Sequence, residues 1–227
     1  MRVLAIIPAR GGSKGIPGKN LVAIAGKPLV AWSIEQALAC GGVTDTVVST
    51  DSHEIAMVAR NAGASVPFLR PAELATDVAA TEPAMLHALA EMERANGAYD
   101  AVMLLQPTSP LRLPGTLDRA VTEFAAAGAE SLVGVVESHA FFWKRDPVRA
   151  TYDPANRPRR QDIAPTDRRF RETGSVYLTR RDPFVTEQNR LAGRQTLFEM
   201  DEREGLEIDS RTDLVIVEAL MEEAQLR

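Results

Sequence analysis

Short runs rich in apolar and β-branched residues alternate along the chain with longer stretches in which apolar residues recur every three or four positions. "RVLAII" (2–7), "DTVVST" (45–50), "SVPFL" (65–69), "DAVMLL" (100–105), "SLVGVV" (131–136), "GSVYLT" (174–179) and "QTLFEM" (195–200) read as strands. The first of these lacks polar alternation, which marks a strand buried on both faces of a parallel sheet. Helical spacing predicts helices over 28–40, 52–63, 82–96, 115–127 and 210–225. Asp51 or Ser52 can cap the second, with Gly63 as its stop; Thr81 and Pro83 open the third; Asp209 or Ser210 can cap the last. Strand, loop, helix and strand in repeated order predict an α/β fold around a mostly parallel sheet.

From about 138 to 172 that rhythm stops. The segment holds four prolines, eight arginines and five of the chain's twelve aromatic residues, among them the run Phe141, Phe142, Trp143. A disordered tail would be poor in aromatics. The stretch therefore reads as an insertion into a single domain of 1–227, one that packs against something, most simply another subunit.

Composition narrows the function. With 227 residues, 45% of them hydrophobic, the chain can bury a substantial core. A net charge of −5 and a pI near 5.4 provide no general basic field, so neither nucleic acid nor an anionic membrane is an expected partner. The single cysteine, Cys40, excludes an intrachain disulfide and reads as a small core residue in a reducing compartment. No run of about 18 apolar residues is present and no signal-like segment opens the chain, so a soluble, cytoplasmic protein is expected.

The candidate chemistry begins where the first strand ends. "IPARGGSKGIPGKN" (7–20) packs four glycines, two prolines, Arg10, Lys14 and Lys19 into one loop. The carboxyl ends of strands in open α/β sheets are where such folds bind ligands. The loop is not a Walker A sequence, because Ser13 stands where its first glycine belongs and Asn20 where Ser or Thr belongs, and no GxGxxG fits. Glycines that let backbone N–H groups approach an anion, flanked by three cations, describe a triphosphate cradle. His53, His87 and His139 show no ligand spacing, so zinc is not expected.

Together with "STDS" (49–52), "LRP" (69–71), "QPTSPLR" (106–112) and "PRRQD" (158–162), this loop resembles the acylneuraminate cytidylyltransferases along nearly the whole chain. The resemblance implies a Rossmann-like three-layer nucleotidyltransferase fold with an inserted dimerisation segment. It also implies an enzyme that joins a nine-carbon keto-sugar acid of sialic, legionaminic or pseudaminic type to CMP, from CTP, with release of pyrophosphate. CTP and the nonulosonic acid are the expected partners, Mg²⁺ the expected cofactor and a homodimer the expected assembly. Enzymes for the eight-carbon acid Kdo share the fold and the Pro-Ala-Arg opening, and a non-catalytic nucleotide- or sugar-binding module of the same fold is a second alternative.

The same resemblance assigns residues. Arg10 and Lys19 meet the phosphates, and Ala9, Arg10, Asn20, Arg70 and Thr81 meet the nucleotide. Gln106, at the carboxyl end of a strand, and Tyr177 meet the sugar acid, whose carboxylate is reached from a neighbouring subunit by Lys144, Arg159 and Arg160. Joining two anions needs a hard cation held by carboxylates. "EID" (207–209) offers Asp209 as the principal metal ligand and Glu207 as a supporting one, two carboxylates on one face of an expected strand. Glu207 departs from the family's commoner Asp-x-Asp, and Thr173 replaces its usual Asn before the glycine of "ETGSVYL" (172–178). No covalent intermediate is implied, because the sugar's anomeric hydroxyl is the nucleophile.

Overall fold

The computed structural model describes residues 1–13 and 15–225, which leaves Lys14 of the opening loop outside it. In chain order the elements are β1 (Val3–Pro8), the two-residue strands β2 (Ala23–Ile24) and β3 (Lys27–Pro28), α1 (Leu29–Ala39), β4 (Asp45–Ser49), α2 (His53–Asn61), α3 (Thr81–Asn96), β5 (Ala101–Leu105), α4 (Thr116–Ala127), β6 (Ser131–Glu137), β7 (Trp143–Arg145), β8 (Val148–Ala150), β9 (Phe170–Arg180), α5 (Arg181–Glu187), β10 (Gln195–Glu199) and α6 (Arg211–Gln225). One six-stranded sheet runs β10-β6-β9-β5-β1-β4. β1 is parallel to β4 and β5, and β10 to β6, while β9 is antiparallel to both its neighbours, so the sheet is mostly parallel as expected.

β1 shows why the apolar runs lack alternation. Val3, Ala5 and Ile7 pack on one side with α1, α2 and α4, through Ile34, Ile55 and Phe124 among others. Leu4 and Ile6 pack on the other with α3 and α5, through Met85, Leu89 and Phe184. Helices therefore cover both faces, giving the expected three layers. A third cluster joins Ile16, Ile24 and Leu29 to Ile208, Val217 and Met221, which docks α6 beside the opening loop. Cys40 is buried as expected, and burial pushes its thiol pKa up, the opposite of what a nucleophile needs.

Two expected strands do not form. "SVPFL" contributes only an isolated bridge between Ser65 and Val47, because a proline two residues on cannot continue a ladder. "EID" lies in an extended connection after the 3-10 turn Glu202–Gly205 and has a single backbone tie, from Ile208 N–H to the Thr108 carbonyl at 2.7 Å. Within 138–172 the chain forms the β7–β8 hairpin and two single turns, and β9 already begins at Phe170, inside the stretch read as irregular. Among the described residues no helix is long and apolar enough to cross a membrane.

Candidate active site

After β1 the chain builds α1 and β4 on one flank of β1, while β5 lies on its other flank. The loops leaving the carboxyl ends of β1 and β5 therefore part, and such a switch point opens a crevice. A cavity of about 280 Å³ fills it, and Arg10, Lys19, Asn20, Arg70, Thr81 and Gln106 all line its wall.

Each side of this cavity is fixed by a long-range tie. Asn20 Nδ2 donates to the Arg10 carbonyl at 2.9 Å, closing the opening loop on itself. The Gly11 N–H donates to Asp51 Oδ1 at 2.9 Å. The helix cap of α2 is instead Ser52, whose Oγ accepts from Ile55 N–H, so Asp51 shapes the loop. Lys19 Nζ donates to the Ile208 carbonyl at 2.7 Å and to Asp209 Oδ1 at 3.2 Å. Gly15 is required where these segments meet, since a Cβ there would stand 2.5 Å from the Asp209 carbonyl oxygen.

Arg10 reaches across to the facing segment, donating to the Thr76 carbonyl at 2.9 Å and pairing with Asp77 at 3.1 Å. Arg70 is buried, with Nε on Ser49 Oγ at 3.0 Å and a second guanidinium nitrogen on the Ser49 carbonyl. Burial is the main influence lowering its pKa; Asp51 opposes it and Arg10 adds to it. α3 starts at the cavity: its N-cap, Ala80, has no side chain to cap with, so the N–H groups and positive dipole end of the first turn face the space. Ala9, by contrast, is wholly buried and its N–H donates to the Ser49 carbonyl at 2.9 Å. That bond braces the loop and occupies the Ala9 N–H, so only its carbonyl is left for a ligand.

The carboxylates stand beside Lys19. Asp209 has a side chain 76% exposed. The cap of α6 is made by Ser210 and Asp213, whose carboxylate accepts from the N–H groups of both Asp209 and Ser210, leaving the Asp209 carboxylate with no capping role. Glu207 is half-buried, and its pKa is raised chiefly by burial and then by the charge of Asp209. Among the described residues no group of three or more His, Cys, Asp or Glu is arranged to hold a metal alone. Two repelling carboxylates fit a hard cation that takes its remaining ligands from phosphate and water.

Gln106 and Glu207 converge on Gly174. A Cβ on that glycine (φ +65°) would stand 2.7 Å from Gln106 Oε1 and 2.8 Å from Glu207 Oε1. The glycine lies at an irregularity of β9, where the register against β6 slips between Val133 and Val135. The slip brings Glu172 and Tyr177, five residues apart, into contact, and Tyr177 donates its hydroxyl proton to Glu172. Burial and then Glu172 push the Tyr177 pKa well above the ordinary phenol range. Tyr177 is buried beneath the Arg190 guanidinium, 4.8 Å from its ring, and does not line the cavity.

The three basic residues of the insertion stand apart from this site in the single chain. Lys144 sits on β7, Arg159 pairs with Asp162 at 2.6 Å, and Arg160 begins the short turn that follows. All three are exposed and none lines the cavity. Sequence reasoning missed Asp213, although Ser-x-x-Asp before an apolar run signals a capping box, and gave Arg112 no role.

Residues 4–226 match the family described as Cytidylyltransferase. A pseudaminic acid cytidylyltransferase from Campylobacter jejuni is 31% identical over 97% of this chain and 96% of its own length. A CMP-N,N'-diacetyllegionaminic acid synthase from Legionella pneumophila is 47% identical over 60% of this chain and 58% of that protein. An N-acylneuraminate cytidylyltransferase A from Danio rerio is 34% identical over 95% of this chain, which spans only 50% of that longer protein. Among solved structures, a CMP:2-keto-3-deoxy-manno-octonic acid synthetase complexed with CTP superposes with a TM-score of 0.70 over 98% of this chain and 99% of its own, at 22% identity. A 4-diphosphocytidyl-2C-methyl-D-erythritol synthase from Anaerococcus prevotii gives 0.69 over 97% and 98% at 9% identity, so these two likenesses concern the fold. By sequence, the chain belongs to the cytidylyltransferase family of nucleotidyltransferases, in its acylneuraminate type.

Proposed function

We propose that this protein activates a nine-carbon keto-sugar acid with CTP, giving the CMP-sugar and pyrophosphate. The observation that carries the reading is the convergence of Arg10, Lys19, Asn20, Arg70, Thr81 and Gln106 on one cavity at the switch point of the sheet. Similarity to cytidylyltransferases for pseudaminic, legionaminic and sialic acids, each named for a nonulosonic acid, supports the substrate class. Likeness to the eight-carbon acid's synthetase is a likeness of fold alone.

In this reading the amide-rich opening loop, the first turn of α3, Arg10 and Lys19 neutralise the triphosphate, and Arg70 and Asn20 fix the nucleotide end. Gln106 bonds the sugar acid, aligning its anomeric hydroxyl with the α-phosphorus. That oxygen gives up its proton to solvent and forms the new P–O bond as the bond to the departing pyrophosphate breaks, so holding the two in line is most of the chain's task. Asp209, with Glu207 beside it, would hold Mg²⁺, which supplies charge neutralisation on the phosphates. Lys144, Arg159 and Arg160 would complete the sugar-acid end in a homodimer. Phe142 and Trp143, 54% and 58% exposed, supply the apolar surface that a partner copy would cover. The buried single cysteine is in keeping with a cytoplasmic setting.

The test is pyrophosphate release from CTP and Mg²⁺ with a panel of sialic, legionaminic, pseudaminic and Kdo acids. Turnover with one or more nine-carbon acids is expected. Preference for Kdo would transfer the protein to the eight-carbon reaction, and no turnover with any acid would make it a binding module.

A further inference from the structure

Arg112 closes the "QPTSPLR" stretch and lies inside the protein, 6% exposed. A buried arginine ordinarily faces a carboxylate that accepts from its fork. This one donates to neutral groups only. One terminal nitrogen bonds Ser33 Oγ at 3.1 Å and Gln36 Oε1 at 2.8 Å, both on α1. The other bonds the carbonyls of Gln106 at 3.1 Å and Ser175 at 2.6 Å. Glu204, fully buried nearby, offers its carboxylate to Leu113 N–H and the Thr116 hydroxyl. Without a direct counter-ion, burial draws the Arg112 pKa down to about 9.

The two carbonyls mark a particular place. The β5–β9 ladder ends at the pair Leu105 and Val176, so Gln106 and Ser175 are the residues at which the strands part. β9 enters its irregularity at Gly174, and β5 becomes the cavity loop. A single guanidinium nitrogen spans the opening, supplying the bonds that the ladder no longer makes. Directly above the clamp stand the Gln106 side chain and Glu207, both packed on Gly174.

We propose that Arg112 is a positioning residue for the sugar-acid end of the site: it never meets substrate, and it sets the direction of Gln106 by fixing the backbone where β5 and β9 separate. The proposal rests on the reading of Gln106 as a contact to the sugar acid. Arg112→Lys keeps a charge but cannot reach four acceptors in two directions. Arg112→Met removes the charge, takes the guanidinium donor from the buried Ser175 carbonyl and leaves the Gln106 carbonyl only the Ser109 N–H.

The experiment measures steady-state kinetics with each substrate varied in turn, alongside thermal stability and calorimetric CTP binding. Arg112→Lys and Arg112→Met are expected to raise the KM for the sugar acid by about tenfold to a hundredfold, the scale of losing hydrogen bonds to a charged group, with the Kd for CTP unchanged. Arg112→Lys, which retains the buried charge, keeps the test alive if Arg112→Met fails to fold. In a Gln106→Ala background the Arg112→Lys effect on the sugar-acid KM should largely vanish, because coupled residues are not additive. Equal losses toward both substrates, or full additivity with Gln106→Ala, would overturn the proposal while wild-type turnover stands. A wild-type protein inert toward every nonulosonic acid would overturn the function and this proposal together.

Discussion

Around the cavity at the switch point, side chains are anchored by distant parts of the same chain, whereas Arg159 of the insertion is anchored to its own neighbour. Arg10 bonds a carbonyl 66 residues away, and Lys19 bonds one 189 residues away. Arg159 has Asp162, three residues along. Ties of the first kind hold charged groups in place before a ligand arrives, so little ordering cost remains at binding. Exposed local pairs of the second kind contribute little and fix little. In the proposed function the described residues of the phosphate end all come from one chain, and the carboxylate end draws on a second.

If the phosphate end is as preorganised as this, its parts should be sharply sensitive. Asp209→Asn keeps the shape and the Ser210–Asp213 cap but removes the charge. Near-complete loss of Mg²⁺-dependent turnover is expected, with an unchanged Tm; retention of most of the rate would send the metal elsewhere. Arg10→Ala and Lys19→Ala come next. Each should raise the KM for CTP and lower kcat, costing roughly 2.7–4 kcal/mol in kcat/KM, as for loss of one preorganised donor. Unchanged kinetics at sub-saturating CTP would remove the loop from the phosphates.

The smallest expected effect is in stability. The Glu207 pKa is raised in the folded protein, so its ionised form is disfavoured there. That penalty is full at pH above the raised value and disappears as pH falls below the ordinary carboxylate range, where folded and unfolded states both carry the proton. Glu207→Gln should therefore raise Tm slightly at neutral pH and leave it unchanged in acid. A lower Tm at neutral pH would show that the carboxylate stabilises the fold.

The same contrast explains what could be seen in the sequence. β1, β5 and β6 are legible because burial on both faces leaves nearly continuous apolar runs, and the opening loop because glycines and cations accumulate after β1. "EID" suggested a strand because alternation cannot tell a sheet strand from an extended connection with one backbone tie. The β2–β3 hairpin was not read, since two-residue strands carry no period, and α5, with seven residues, completes fewer than two helical turns. Tyr177 and Glu172 meet only because β9 slips at Gly174, and one register slip reverses every facing that alternation predicts. Arg112 had a visible place but no visible role: its partners come from α1, the residue that follows β5, and β9, which only the folded chain assembles.

Calorimetric titration of CTP into Phe142→Glu, with sedimentation and turnover measured on the same sample, tests this division most directly. Phe142 lies on the insertion, outside the cavity, and is 54% exposed in the single chain, so the substitution should leave the fold intact and separate the proposed dimer. The account predicts a monomer that binds CTP with the wild-type Kd and has little turnover. A monomer that is fully active, or one that no longer binds CTP, would contradict it.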